Sequence, residues 1–249
     1  MVSISKITKK GRALFLAYDQ GLEHGPIEFN DENVDPKKII EIAEKGKFTA
    51  MIFQKGIADK YKTEIKKSKV PLIIKLNGKT NLVEGELMSE QLCTVKEAIK
   101  LGAVAVGYTI YIGSKYESKM FSEFENIERE AHKLGIPVIS WIYPGKKEIP
   151  GKTDDEIMAY AARIALEIGA DIAKIKYTGN SKALKWAIKS AGKCKIVLSG
   201  GAKTSDKDVL KEAKDAIDSG AMGLAIGRNI WQNENPLEIA KKVRKIVIE

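Results

Sequence analysis

Short apolar runs alternate with longer stretches of helical periodicity along the whole chain. The runs Ala13–Asp19, Ala50–Gln54, Leu72–Leu76, Val104–Thr109, Val138–Tyr143, Ile172–Tyr177, Ile196–Ser199 and Met222–Gly227 read as eight strands. Helical patterns fall between and after them, at Pro36–Lys45, Thr94–Leu101, Glu117–Leu134, Asp154–Ile168, Lys182–Ser190, Asp206–Asp218 and Pro236–Ile248. In Asp154–Ile168 the apolar face is carried by Ile157, Tyr160, Ala161, Ile164, Ala165 and Ile168. Gly102, Gly169 and Gly220 sit where these helices hand over to the next strand, as C-cap glycines do.

Repeated strand–helix units over 249 residues predict a TIM (β/α)8 barrel, with residues 1–249 as a single domain. An open doubly wound sheet would want a Gly-rich dinucleotide loop after an early strand. The first strand is followed instead by Asp19-Gln20-Gly21-Leu22-Glu23-His24-Gly25-Pro26. No proline-rich linker or low-complexity tract interrupts the pattern.

Composition narrows the function. The formal net charge of +9 suits anionic small molecules. The lysines are spread among acids on helical segments rather than clustered with aromatics, which argues against nucleic acid. No stretch approaches a membrane span, and Met1–Lys6 has no apolar signal core. Cys93 and Cys194 stand apart without metal-site spacing, the pattern of a reducing compartment. The expectation is a cytoplasmic protein without membrane contact. With only His24 and His132, the latter on the exposed side of a helix pattern, a catalytic metal is not expected.

The barrel assignment places the chemistry at the C-terminal strand ends, where alternation selects the inward side chains. Lys174 and Lys176 lie in register on the sixth strand. A buried ammonium is costly, and a like-charged neighbour adds to the cost, so one amine should have a depressed pKa. Moving a lysine to near pH 7 takes roughly 4–5 kcal/mol. The chemistry that rewards a neutral buried amine is attack on a carbonyl to form a Schiff base. A lysine paired with Asp19 or Asp171 for structural reasons is the alternative. Asp19 ends the inward face Ala13, Phe15, Ala17; it orients a lysine, shuttles a proton, holds a substrate hydroxyl, or caps its loop. His24 nearby touches substrate or bonds backbone. Trp141 and Tyr143 share a face of the fifth strand and read either as aromatic packing or as a site. A phenol there serves as acid and base, its pKa lowered by Lys146 or Lys147. Those lysines belong either to a solvated loop or to a second phosphate site. Ser199-Gly200-Gly201 ends the seventh strand and Gly227-Arg228 the eighth, where such barrels hold phosphate.

Together these residues resemble the archaeal-type class I fructose-1,6-bisphosphate aldolases over essentially the full length. The likeness is carried by Ala17–Pro26, Lys75-Leu76-Asn77-Gly78-Lys79-Thr80, Gly107–Tyr111, Trp141-Ile142-Tyr143-Pro144, Lys174–Gly179, Ser199-Gly200-Gly201 and Gly227-Arg228-Asn229. It implies a metal-free, cofactor-free lyase of glycolysis and gluconeogenesis acting on sugar phosphates, and a homo-oligomer as large as a decamer. It implies Lys174 as Schiff-base lysine, Tyr143 as proton-transfer residue and Asp19 as the acid assisting imine formation. Trp141, His24 and Lys176 would contact substrate, and Ser199, Gly200, Gly201, Gly227 and Arg228 would cradle phosphate. Two positions depart from the family pattern: Gln20 replaces its His after the aspartate, and Gly145 its basic residue after Tyr-Pro. Two other functions fit the same barrel. One is a 2-amino-3,7-dideoxyheptulosonate synthase using the same lysine, and the other is a non-catalytic sugar-phosphate-binding barrel.

Overall fold

The computed structural model describes residues 2–82, 85, 87–145 and 149–249. Eight parallel strands close a barrel: β1 (Ala13–Ala17), β2 (Ala50–Gln54), β3 (Leu72–Lys75), β4 (Ala103–Ile112), β5 (Val138–Pro144), β6 (Ile172–Lys176), β7 (Lys195–Ser199) and β8 (Gly223–Ile226). Each pairs with its sequence neighbours, and β8 closes on β1 through Ala13↔Gly223 and Phe15↔Ala225. All eight predicted strands are present. Their ends move by a few residues, and β4 runs on to Ile112.

Alternation sorts the side chains into two cores. Inward residues, among them Phe15, Ile52, Ile73, Ala105, Ile139, Trp141, Ile172 and Val197, fill the barrel interior. Ile7, in a 3-10 turn at Ser5–Ile7, is fully buried in that same cluster. The outward residues pack beneath the helices. Burying both faces explains why the strands read as continuous apolar runs.

The helices start where their caps dictate. Thr94 opens α5 (Val95–Lys100) and Thr153 opens α7 (Asp154–Glu167), each in a reciprocal capping box with Glu97 or Glu156. Asn180 and Ser205 cap α8 (Ser181–Ser190) and α9 (Asp206–Asp218). The long α6 is Glu117–Lys133 and the last helix, α11, is Pro236–Val247. Gly102, Gly169 and Gly220 have φ of +96°, +81° and +96°, as their place after helix ends requires. After β2 come two short helices, α3 (Lys55–Lys60) and α4 (Lys62–Ser68), that the apolar pattern did not reveal. The predicted helix α2 is Pro36–Lys45, and short helical turns form α1 (Gly21–His24), the 3-10 turn Gly25–Glu28 that follows it, and α10 (Arg228–Trp231). Among the described residues, no helix is long and apolar enough to cross a membrane.

Candidate active site

A cavity of about 430 Å³ opens at the C-terminal strand ends. Every candidate residue of the sequence reading, namely Asp19, His24, Trp141, Tyr143, Lys174, Lys176, Ser199, Gly200, Gly201, Gly227 and Arg228, lines it. Lys146 and Lys147 lie outside the described residues.

Lys174 sits mid-strand on β6, paired with Trp141 on one side and Val197 on the other. It is 6% exposed, and its amine stands 5.3 Å from the centre of the Trp141 ring. Among the described residues it joins no ion pair. Burial pushes its pKa below the ordinary lysine value, and the charges of Lys75 and Arg228 push the same way against Asp19 and Glu23. The aromatic face favours a cation by roughly 0.5–2 kcal/mol. That is smaller than the cost of burying an unpaired ammonium, so desolvation decides the direction. Lys176, expected to be the like-charged neighbour, is exposed at the strand end. The cation that faces Lys174 is Lys75, on β3.

Lys75 is the mirror case. It is 2% exposed, and its Nζ lies 2.7 Å from Glu23 Oε1 and 3.6 Å from Asp19 Oδ2. Burial opposes its charge, but the two carboxylates overcome that and raise its pKa. Asp19, itself 4% exposed, is therefore engaged with Lys75 and forms no ion pair with Lys174. Sequence reasoning missed Lys75 and Glu23 as site residues. The signal was present, since Ile73 and Lys75 repeat on β3 the inward alternation that Ile172 and Lys174 show on β6.

Tyr143 also corrects an expectation. Its pKa is raised well above 10, first by burial and then by Asp19 and Glu23, while a hydrogen bond with Ser199 works the other way. The phenol is thus a neutral donor rather than one acidified by a cation. Tyr111, opposite Tyr143 in the β4–β5 register, directs its hydroxyl at Glu23 Oε1 (3.5 Å) and is likewise raised, by burial and then Glu23. The Trp141 indole N–H is buried with no partner among the described residues.

The two glycine turns are clamped together. Asn229 donates to Gly200 O (2.6 Å) and Ala202 O (3.0 Å) and accepts from Thr204 N (2.8 Å). Arg228 donates to Gly201 O at 2.9 Å and forms a close ion pair with Glu28. A Cβ at Gly227 would stand 2.5 Å from Ala17 O, so that position has no room for a side chain. Gly201 has φ +60°, a left-handed conformation that glycine adopts without strain. His24 stands near the same Glu28, Nδ1 to Oε1 at 3.9 Å. Contrary to the sequence expectation, His132 does not face solvent freely. It is bracketed by Glu128 (2.7 Å) and Asp171 (2.8 Å), and Asp171 also accepts from Val138 N. The Asp171 carboxylate is thereby turned away from Lys174. Among the described residues no cluster of His, Cys, Asp and Glu could hold a metal ion.

Comparison with known proteins places the chain among aldolases. A model described as "DeoC/LacD family aldolase" matches residues 13–233. The chain is 48% identical to a class 1 fructose-bisphosphate aldolase of Thermoproteus tenax, over 96% of this chain and 90% of that one. It is 44% identical to the protein of the same name in Halobacterium salinarum, over 98% and 94%. A solved archaeal fructose-1,6-bisphosphate aldolase, with its catalytic lysine covalently bound to the substrate's carbinolamine intermediate, superposes with a TM-score of 0.93 at 45% identity. That match covers 99% of this chain and 98% of the other.

Proposed function

The chain belongs to the DeoC/LacD family of aldolases, and on that premise we propose that it is a Schiff-base-forming fructose-bisphosphate aldolase, a carbon–carbon lyase, with Lys174 as nucleophile. The observation that carries the assignment is a lysine amine buried in the cavity, unpaired among the described residues and pushed toward its neutral form. Residues 1–249 form one barrel domain in this reading.

The ketose phosphate sits with its phosphate on Ser199, Gly200, Gly201 and Gly227, and Arg228 supplies a charge-assisted contact. Neutral Lys174 attacks the C2 carbonyl. Asp19 assists proton movement as the carbinolamine forms, and the neutral Tyr143 phenol gives its proton to the departing hydroxyl. Water leaves and an iminium remains. The Tyr143 phenolate then takes the C4 hydroxyl proton, the C3–C4 bond breaks, and its electron pair flows into the iminium. Glyceraldehyde 3-phosphate departs from an enamine, which Tyr143 reprotonates at C3. Hydrolysis of the iminium frees dihydroxyacetone phosphate and the amine. Trp141, whose indole N–H has no partner among the described residues, and His24 and Lys176 at the mouth meet the sugar hydroxyls and the distal end. No step calls for a cofactor. Both curated relatives carry the fructose-bisphosphate name, which favours this reaction over the transaldol reaction on the same lysine.

Borohydride with dihydroxyacetone phosphate should add the reduced adduct's mass at Lys174 and inactivate the protein. Lys174→Ala should neither trap substrate nor cleave the bisphosphate. Near-normal cleavage by that variant refutes the scheme. The solution assembly expected of the family, a homo-oligomer in the cytoplasm, is checked by sedimentation of the full chain.

A further inference from the structure

Two buried lysines face one cavity, and only one holds carboxylates. Asp19 and Glu23 are the acids facing Lys174, from the end of β1 and from α1. The other groups around it are Lys75 on β3, Arg228 on α10, Tyr143 on β5, Tyr111 on β4, and Lys176 further along β6. A carboxylate closing on Lys174 would fix it as an ammonium and end its use as a nucleophile. In the structure both acids are drawn to Lys75, at 2.7 and 3.6 Å. Tyr111 adds a long contact to Glu23 from the next strand.

We propose that Lys75 is a positioning residue of the reaction: it engages Asp19 and Glu23 together, so that neither closes on Lys174 and the nucleophile stays unpaired. This inference rests on the Schiff-base reading above. Lys75 forms no bond to substrate in it. Its cation keeps two acids on the β1–β3 side of the mouth while Lys174 faces the ketone from β6. Glu23 is the nearer partner, anchoring the Lys75 amine and leaving Asp19 at a looser distance, where it can still exchange a proton with the carbinolamine.

The test is the pH dependence of borohydride trapping by dihydroxyacetone phosphate on the full chain, read by mass spectrometry for the wild type, Lys75→Met, Lys75→Arg, Glu23→Gln and the double variant. The trapping rate rises as Lys174 loses its proton. Removing the Lys75 cation ends its direct repulsion of the amine and also releases two carboxylates toward it, so in Lys75→Met the midpoint should move up by about one to three pH units. Removing one carboxylate in Glu23→Gln should move it down, and Lys75→Arg should restore the wild-type midpoint. A merely structural lysine would lower the amplitude at every pH and leave the midpoint in place. Should Lys75→Met fail to fold, adding it to Glu23→Gln removes a cation with its nearest acid. That double variant should then trap with a higher midpoint than Glu23→Gln alone. Coincident midpoints in that pair, or shifts of the same sign in Lys75→Met and Glu23→Gln, overturn the proposal. Absence of trapping in the wild type would instead overturn the Schiff-base reading itself.

Discussion

Gly107→Ala tests how tightly the floor of the cavity is built. Gly107 lies on β4, in register with Lys75 on one side and Ile139 on the other, on the face that points into the barrel. Its missing side chain is filled by the Trp141 ring: a Cβ at position 107 would fall 1.4 Å from Cζ3, 1.7 Å from Cη2 and 2.7 Å from Cε3. These are full overlaps, beyond anything a few tenths of an ångström of adjustment relieves. The backbone at Gly107 is not left-handed, so alanine carries no conformational strain there and the whole cost is steric. Overpacking of this kind costs about 1–3 kcal/mol, and overlap with a rigid, 1% exposed ring points to the upper end. The ring has one open direction, the cavity, where the Lys174 amine stands 5.3 Å away. Urea unfolding should therefore show a loss of about 3 kcal/mol, and borohydride trapping at Lys174 should fall with it. The decisive measurement is a double-mutant cycle with Trp141→Leu. Removing the ring opens the slot, so alanine at 107 should add almost nothing in that background, giving a coupling of about 2–3 kcal/mol. Strictly additive costs would falsify the claim that ring and glycine share one space.

Three further outcomes follow from the same structure. Tyr143→Phe should cut bisphosphate cleavage by about 10²–10⁴ without unfolding the barrel. Because the Tyr143 pKa is raised well above 10, the wild-type rate should show no loss from its ionisation below that pH. Glu28→Gln should release Arg228 from its ion pair and remove a negative charge from the phosphate turns. Inorganic phosphate should then inhibit at a several-fold lower concentration, and an unchanged inhibition constant refutes the placement of phosphate at Arg228. Glu212, on α9, is half-buried and has its pKa pushed up to about 7, first by burial and then by Asp215. A carboxyl whose folded pKa is raised gives stability that is full below its unfolded value of 4.5 and lost as pH rises through about 7. Glu212→Gln should thus leave stability unchanged near pH 4 and raise it at pH 8 by up to about 3 kcal/mol in urea unfolding.

The strands were legible because a barrel strand is buried on both faces and cannot hide its composition. The capping boxes went unread, although Thr94 and Thr153 each precede a Glu at the reciprocal spacing. The helices α3 and α4 were not, because the stretch from Lys55 to Ser68 is rich in lysine and breaks at Tyr61 into two short turns with little apolar face. The site followed from the fold assignment: once eight strands are aligned, Asp19, Tyr143, Lys174, Ser199 and Gly227 must all fall at one end. The Tyr143 expectation failed for a physical reason. Sequence proximity suggested a lysine as its electrostatic neighbour, whereas the groups that reach it across the mouth are Asp19 and Glu23.

The same reason explains why the choice between the two buried lysines was hidden. Ile73-Ile74-Lys75 and Ala173-Lys174-Ile175 each place an amine inside the barrel, and alternation treats them alike. What separates them is the position of two carboxylates. One comes from the end of β1, and the other lies 52 residues before Lys75 in the chain, on a single helical turn that folds over the mouth. β3 lies two strands from β1 on one side of the closed sheet, whereas β6 is three strands away on the other. Acids leaving the end of β1 therefore reach the lysine on β3 first. The paired lysine has its pKa raised, and the distant one has its pKa lowered by desolvation. In the Schiff-base reading the nucleophile is thus selected by where the sheet closes rather than by the residues flanking either lysine. Exchanging the acids' side of the mouth, with Glu23→Gln and a carboxylate in place of Ser199 on β7 next to β6, should lock Lys174 as an ammonium. Trapping by that Glu23→Gln, Ser199→Asp chain should need a higher pH than trapping by Glu23→Gln alone, and an equal midpoint would show that distance around the barrel does not set the charge of Lys174.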